Sequence, residues 1–356
     1  MKILVFGAGP LGSLMAARLH EAGHKVSILA RNQRLEDIKK HGIIIQEEGS
    51  DKKEIARVTP VAALSPEDNY DLVMIVMRKN QADEIIPTLT RNKKVKTFLF
   101  MLNNAEGPEK WMEALGRDRV LLGFPYPGGE REKHIMRVAP VNEKKTWPLP
   151  IGEVDGKIRE RTREVASVLG TMRGYKVQVR KDMVAWLKYH VALLMPSFAP
   201  AMYAAGISMK RFSRTRDLQI LTVRGIKEAM RGLRKNAGIP PSPSVLRILE
   251  FIPEPILVKL IEIVMRKELA KSSIEGHPRA ALEELKVLTD ELMIILKGAG
   301  AETPIIDSLQ KYYDPETPPY PDGKSTLSMK WGGILIPLGV IIAIITGISL
   351  WGGALT

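Results

Sequence analysis

Three glycines near the start of the chain have the spacing that a dinucleotide's pyrophosphate requires. Gly7, Gly9 and Gly12 stand as G-x-G-x-x-G in the run Gly7, Ala8, Gly9, Pro10, Leu11, Gly12. Lys2 to Phe6 before them is an apolar run of strand length, and Leu11, Leu14, Met15, Arg18 and Leu19 after them recur at helical spacing. Strand, glycine turn and helix in that order give each glycine a task. Gly7 permits the tight turn, Gly9 lets phosphates approach the backbone, and Gly12 lets the helix pack closely on the strand. The phosphates then meet free N–H groups and the positive end of the helix dipole.

Further along, single residues refine that chemistry. The second strand, Lys25 to Leu29, runs into Ala30 and Arg31, with Arg34 close behind. An acidic residue at this place would bind a ribose 2′-hydroxyl, whereas a guanidinium pairs with a 2′-phosphate, so NADP(H) is expected rather than NAD. Asn103 ends the strand Val95 to Leu102, on the side of an open α/β sheet that faces a ligand. It is a candidate polar contact, although asparagine also serves strand-to-loop turns for local backbone reasons. Lys188 lies among Val184, Trp186, Leu187, Val191, Ala192, Leu194 and Met195. One reading is a partly desolvated ammonium, a better proton donor near neutrality. The other is a lysine snorkelling from a half-buried helix.

The elements that must position these groups fall into two halves. Apolar strands alternate with helices up to Tyr175–Val179, and a polar stretch between Ile43–Ile45 and Ile55–Val58 reads as a hairpin. From Asp182 the period becomes helical, with helices expected over 182–195, 215–236, 244–261 (broken by Pro253 and Pro255), 263–272 and 277–297. The whole chain of 356 residues suits about two domains. It has no cysteine, which excludes disulfides and thiolate metal sites, and its six histidines lack ligand spacing, so no metal is expected. The net charge of +13 comes without any nucleic-acid recognition motif, so no nucleic-acid partner is expected; a basic body suits anionic cofactors or an anionic membrane surface.

Over Met1 to Ser308 the chain resembles the ketopantoate reductase family. The resemblance rests on GAGPLG with ILAR at Ile28–Arg31, on Asn103 in FMLNNAEG, on AWLKYHV around Lys188, and on KGAGAETPIID at Lys297–Asp307. It implies an α/β Rossmann-type N-terminal domain over 1–180 and an all-α, 6-phosphogluconate-dehydrogenase-like C-terminal domain for substrate and dimerisation over 181–308. The implied reaction is NADPH-dependent reduction of a 2-keto acid to a 2-hydroxy acid: 2-dehydropantoate to pantoate, a step of pantothenate biosynthesis, or a related substrate. Lys188 falls on the family's catalytic lysine. Counting back from Pro304 places Glu284 on its cofactor- and substrate-linked glutamate and Ser272 on its substrate-binding serine, while Asn103 would orient nicotinamide and substrate. The chain also departs from the pattern. Two asparagines expected after the lysine are Ala192 and Pro196, Asn-Gly after the strand is Asn103-Asn104, and a lysine is replaced by Arg78. Loss of those amides leaves two alternatives: a reductase of a more apolar carbonyl or imine, or a non-catalytic NADP-binding membrane protein.

The last stretch has a different composition. Gly332 to Thr356 contains no charged residue, and Trp331 and Trp351 bracket a nearly continuous apolar run. About twenty helical residues span roughly 30 Å, so 332–352 reads as a transmembrane anchor and 309–331 as a proline-rich linker. Lys324 and Lys330 on its N-terminal side would keep the body cytoplasmic. Gly339, Ala343 and Gly347 fall four apart, a spacing that could pair two tails in a homodimer.

Overall fold

The computed structural model describes residues 1–265, 275 and 281–330. The chain divides into two compact units, one of Met1–Asn103 with Gly107–Val184, the other of Asn104–Glu106 with the residues from Ala185 onward.

The first unit carries twelve strands: β1 (Lys2–Phe6), β2 (Lys25–Leu29), β3 (Ile43–Glu47), β4 (Lys53–Ala56), β5 (Thr59–Val61), β6 (Leu72–Ile75), β7 (Thr97–Met101), β8 (Val120–Gly123), β9 (Gly129–Glu132), β10 (Ile135–Val138), β11 (Trp147–Glu153) and β12 (Tyr175–Val179). Eight form one sheet in the order β12-β11-β8-β7-β6-β1-β2-β5. Its neighbours are parallel except β11 against β8. Strands β6, β7 and β8 are buried at every position, as apolar runs covered on both faces should be. The order reverses at β1. The chain goes from β1 to β2 on one side and later returns to β6 on the other, which creates a crevice at the strand ends.

A second sheet, β4-β3-β10-β9, lies on the far side of helix α1 (Pro10–Glu21). The expected hairpin is present as antiparallel β3 and β4. Strand β9, Gly129–Glu132, is exposed throughout and is held as a strand by its pairing with β10. Helix α1 is buried from Gly12 to Leu19, since Leu14, Met15 and Leu19 join one core with Ile3, Ile28, Ile43 and Met136. Even Arg18 is buried there, with Nη1 2.5 Å from Glu54 Oε2 and Nη2 3.2 Å from the Val141 carbonyl.

Among the described residues of the second unit the regular elements are helices. Lys188 belongs to the helix Met183–Leu194. The helix expected over 244–261 is broken at its prolines as expected: a 3₁₀ turn, Ser244–Glu250, is followed by the helix Glu254–Met265, because Pro253 lacks a donor and Pro255 fits a first turn. The helix expected over 277–297 is seen as Leu282–Gly298.

The stretch expected as a linker is fastened down instead. Buried Asp217 accepts hydrogen bonds from the Leu327 N–H at 2.9 Å, the Thr326 hydroxyl at 2.8 Å and the Tyr320 hydroxyl at 3.3 Å. Arg224 donates to the Ser328 carbonyl at 2.7 Å, and the Lys330 N–H donates to Glu254 at 3.0 Å. Proline and polar content suggested a free chain, but these polar groups are consumed in strapping 314–330 onto the second unit. The anchor expected over 332–352 and Ser272 lie outside the described residues. Among the described residues no helix is long and apolar enough to cross a membrane.

Candidate functional site

Strand β1 delivers the chain to Gly7, whose φ of +124° favours glycine. A Cβ there would lie 2.2 Å from the Val76 carbonyl oxygen, just past β6. One on Gly12 would lie 2.0 Å from the Gly7 carbonyl oxygen. Both glycines are therefore demanded by the backbone itself. Gly9 differs, because a Cβ on it would meet nothing within 4 Å. It is exposed, stands at the N-cap of α1 with Pro10 in the first turn, and no side chain caps that helix end. A helix start with uncapped donors beside open space, at the point where strand order reverses, fits a dinucleotide pyrophosphate.

The two arginines after β2 part ways. Arg31 is exposed and, among the described residues, its guanidinium has no hydrogen-bond partner. Arg34 turns inward. Its Nε donates to the Ala8 carbonyl at 3.2 Å and its Nη2 to Ser13 Oγ at 3.0 Å, while Ser13 Oγ itself donates to Ala8 O at 3.3 Å. Burial, with Arg131 nearby, pulls its pKa down to about 10. Arg34 thus braces the glycine turn from behind. Ala8 and Leu11 are half-buried within the same turn.

Asn103 follows β7 and is 9% exposed. Its Oδ1 is buried with no hydrogen-bond partner. An orphaned acceptor of this kind costs about 1–3 kcal/mol, a penalty that a donor such as a carboxamide would relieve.

In the second unit, Lys188 is 8% exposed. Its Nζ donates to the Ala105 carbonyl at 2.5 Å and to the Glu106 carbonyl at 2.8 Å. Its ammonium is thus held by backbone carbonyls inside the unit and does not reach into bulk water. Burying an unpaired ammonium costs several kcal/mol, and the two carbonyls offset it. Ala192, one turn on, is fully buried in a cluster with Tyr189, Val191, Met195, Leu288 and Leu292. Glu284 is 4% exposed in the first turn of Leu282–Gly298. The sequence reading missed Glu291. Its Oε2 accepts the N–H groups of Ala105 and Glu106 at 3.3 and 3.1 Å. Its spacing of seven from Glu284, two turns along one helix face, was the only available signal.

The fold is of the α/β-plus-helical type, with a glycine turn between β1 and α1. The sequence profile of the ketopantoate reductase PanE/ApbA family matches residues 3–144. The 2-dehydropantoate 2-reductase of Pyrococcus horikoshii is 27% identical over 186 residues, 52% of this chain and 58% of that protein. The chain aligns with about three fifths of the length of the first curated relatives it matches. The structure of 2-dehydropantoate 2-reductase from Geobacter metallireducens GS-15 superposes with a TM-score of 0.69 at 16% identity, covering 89% of this chain and 100% of that one. A ternary structure of D-mandelate dehydrogenase with NADH and anilino(oxo)acetate gives 0.68 at 17% identity, covering 88% and 97%. The profile and these relatives mark a similarity to ketopantoate reductases over the N-terminal part of the chain, and the solved structures share its fold.

Proposed function

We propose that this protein is an NADPH-dependent reductase of 2-keto acids, with 2-dehydropantoate or a related acid as substrate. The observation that carries the reading is the glycine turn, where two glycines are required by backbone contacts and the third faces open space at an uncapped helix start. Gly7, Ala8, Gly9, Pro10, Leu11 and Gly12 would hold the pyrophosphate, Arg31 the 2′-phosphate, and Asn103 the nicotinamide carboxamide and substrate. The cofactor, when bound, supplies a hydride to the carbonyl carbon. Lys188 Nζ gives a proton to the carbonyl oxygen as negative charge develops there, and is left as the neutral amine. Glu284 would support the lysine or the cofactor ribose, and Ser272 the polar end of the substrate.

A more apolar carbonyl substrate is the second reading, favoured by the buried Ala192 where the resemblance expects an asparagine. Without amide partners, a substrate hydroxyl would go unpaired and an alkyl or aryl group would lose nothing. We further infer that 332–352 anchors the body to a membrane, on the strength of its charge-free composition.

The test is turnover by the purified full chain with NADPH and a panel of 2-keto acids graded from hydroxylated to aryl side chains. Oxidation of NADPH with any of them supports the reductase. A best substrate at the aryl end supports the second reading. Tight NADPH binding without turnover of any member would leave the non-catalytic alternative in its place.

A further inference from the structure

One peptide group in the second unit has an acid at one end and an amine at the other. The Glu106 N–H donates to Glu291 Oε2 at 3.1 Å, and the Ala105 carbonyl accepts from Lys188 Nζ at 2.5 Å. The Ala105 carbonyl and the Glu106 N–H belong to the same peptide plane. The adjoining groups repeat the arrangement, with Ala105 N–H donating to the same Glu291 oxygen at 3.3 Å and the Glu106 carbonyl accepting from Lys188 at 2.8 Å. All of these residues lie in one compact unit.

We propose that Glu291 is a positioning residue for Lys188, acting through the Ala105–Glu106 backbone. A loop of three residues cannot by itself hold two carbonyls on one ammonium, since nothing in its own sequence forms a helix or a ladder. Glu291 fixes it by taking both N–H groups on one oxygen. Hydrogen bonds in series also polarise one another, so an acceptor on the N–H side strengthens the carbonyl's hold on the ammonium. Helix Leu282–Gly298 supplies the rigidity, with Leu285, Leu288 and Leu292 buried beside the Glu291 turn. The inference rests on Lys188 being the proton donor of the proposed reductase. It adds a residue that the family resemblance does not name.

Glu291→Ala and Glu291→Gln in the full chain test it, with two readouts. In turnover, Glu291→Ala should lower kcat by about a hundredfold while the NADPH dissociation constant stays within about twofold. Glu291→Gln, whose Oε1 accepts the same two N–H groups, should recover most of the loss. The second readout needs no activity: the acylation rate of Lys188 by an amine-reactive reagent, followed by peptide mass spectrometry. It should be slow in the parent, several-fold faster in Glu291→Ala as the amine is released, and near the parent's in Glu291→Gln. An alanine variant with the parent's kcat and Lys188 reactivity overturns the proposal, as do equal effects of alanine and glutamine. If the parent turns over no keto acid, the reductase reading fails, while the acylation rates still decide whether Glu291 holds the lysine.

Discussion

Gly9 and Gly12 look alike in the sequence, yet they should respond in opposite ways to one added methyl. At Gly9 the new carbon would stand in open space, so Gly9→Ala should melt like the parent but bind NADPH more weakly, because the methyl occupies the phosphate's place. At Gly12 it would strike the Gly7 carbonyl, so Gly12→Ala should lose about 1–3 kcal/mol of stability. Paired thermal melts and cofactor titrations separate the two, and an unchanged NADPH affinity in Gly9→Ala would remove the pyrophosphate from this turn. Arg31→Ala should raise the KM for NADPH about 10- to 100-fold, consistent with losing charge-assisted bonds, and leave that for NADH nearly unmoved. Equal effects on both cofactors would deny it the 2′-phosphate. Lys188→Ala should lower kcat by about 10²–10⁴-fold with NADPH affinity kept. A parent-like rate would refute its role as proton donor.

Among the elements, the strap over 314–330 shows how buried polar groups hold a segment that has no apolar stripe. Asp217 is fully buried and receives three donors from that segment. Burial pushes its carboxyl up, but the hydrogen bonds from Leu327, Thr326 and Tyr320 outweigh it and leave the pKa below the usual aspartate value. A depressed carboxyl contributes stability that is fully present above the unfolded value of about 3.9 and is lost as pH falls through the lower folded value. The melting temperature should therefore drop on acidification below about pH 4, with hydrogen exchange at Leu327 rising first. Asp217→Ala should show the loss already at neutral pH, by about 1–3 kcal/mol, since the donors lose their acceptor. An unaltered melt in that variant would show the strap to be loosely held.

For the whole molecule, a basic body of net charge +13 is followed by a tail without charge. The anchor reading predicts that the full chain sediments with membranes and resists alkaline extraction, whereas a chain ending at Lys330 is released with its NADPH oxidation intact. Full-length protein in the soluble fraction would sink that reading. The place of the cut matters. Ending at Ser308 would strip off the segment that Asp217, Arg224 and Glu254 hold, so that shorter chain should be the less stable of the two.

The sequence alone determined the features that depend on neighbours along the chain. The glycine turn, the buried strands β6 to β8 and the β3–β4 hairpin are set by spacing, apolar runs and a polar turn, all within a few residues. The buried lysine was legible as a type in an apolar setting, though not its partners. Tertiary structure decided what depends on distant pairing. Arg34 reaches Ala8 across 26 positions, Glu291 reaches Glu106 across 185, and Leu327 reaches Asp217 across 110. No local periodicity encodes such contacts, because a side chain's propensity says whether it can be buried or charged, while only the folded backbone says which hydrogen-bonding group it will meet.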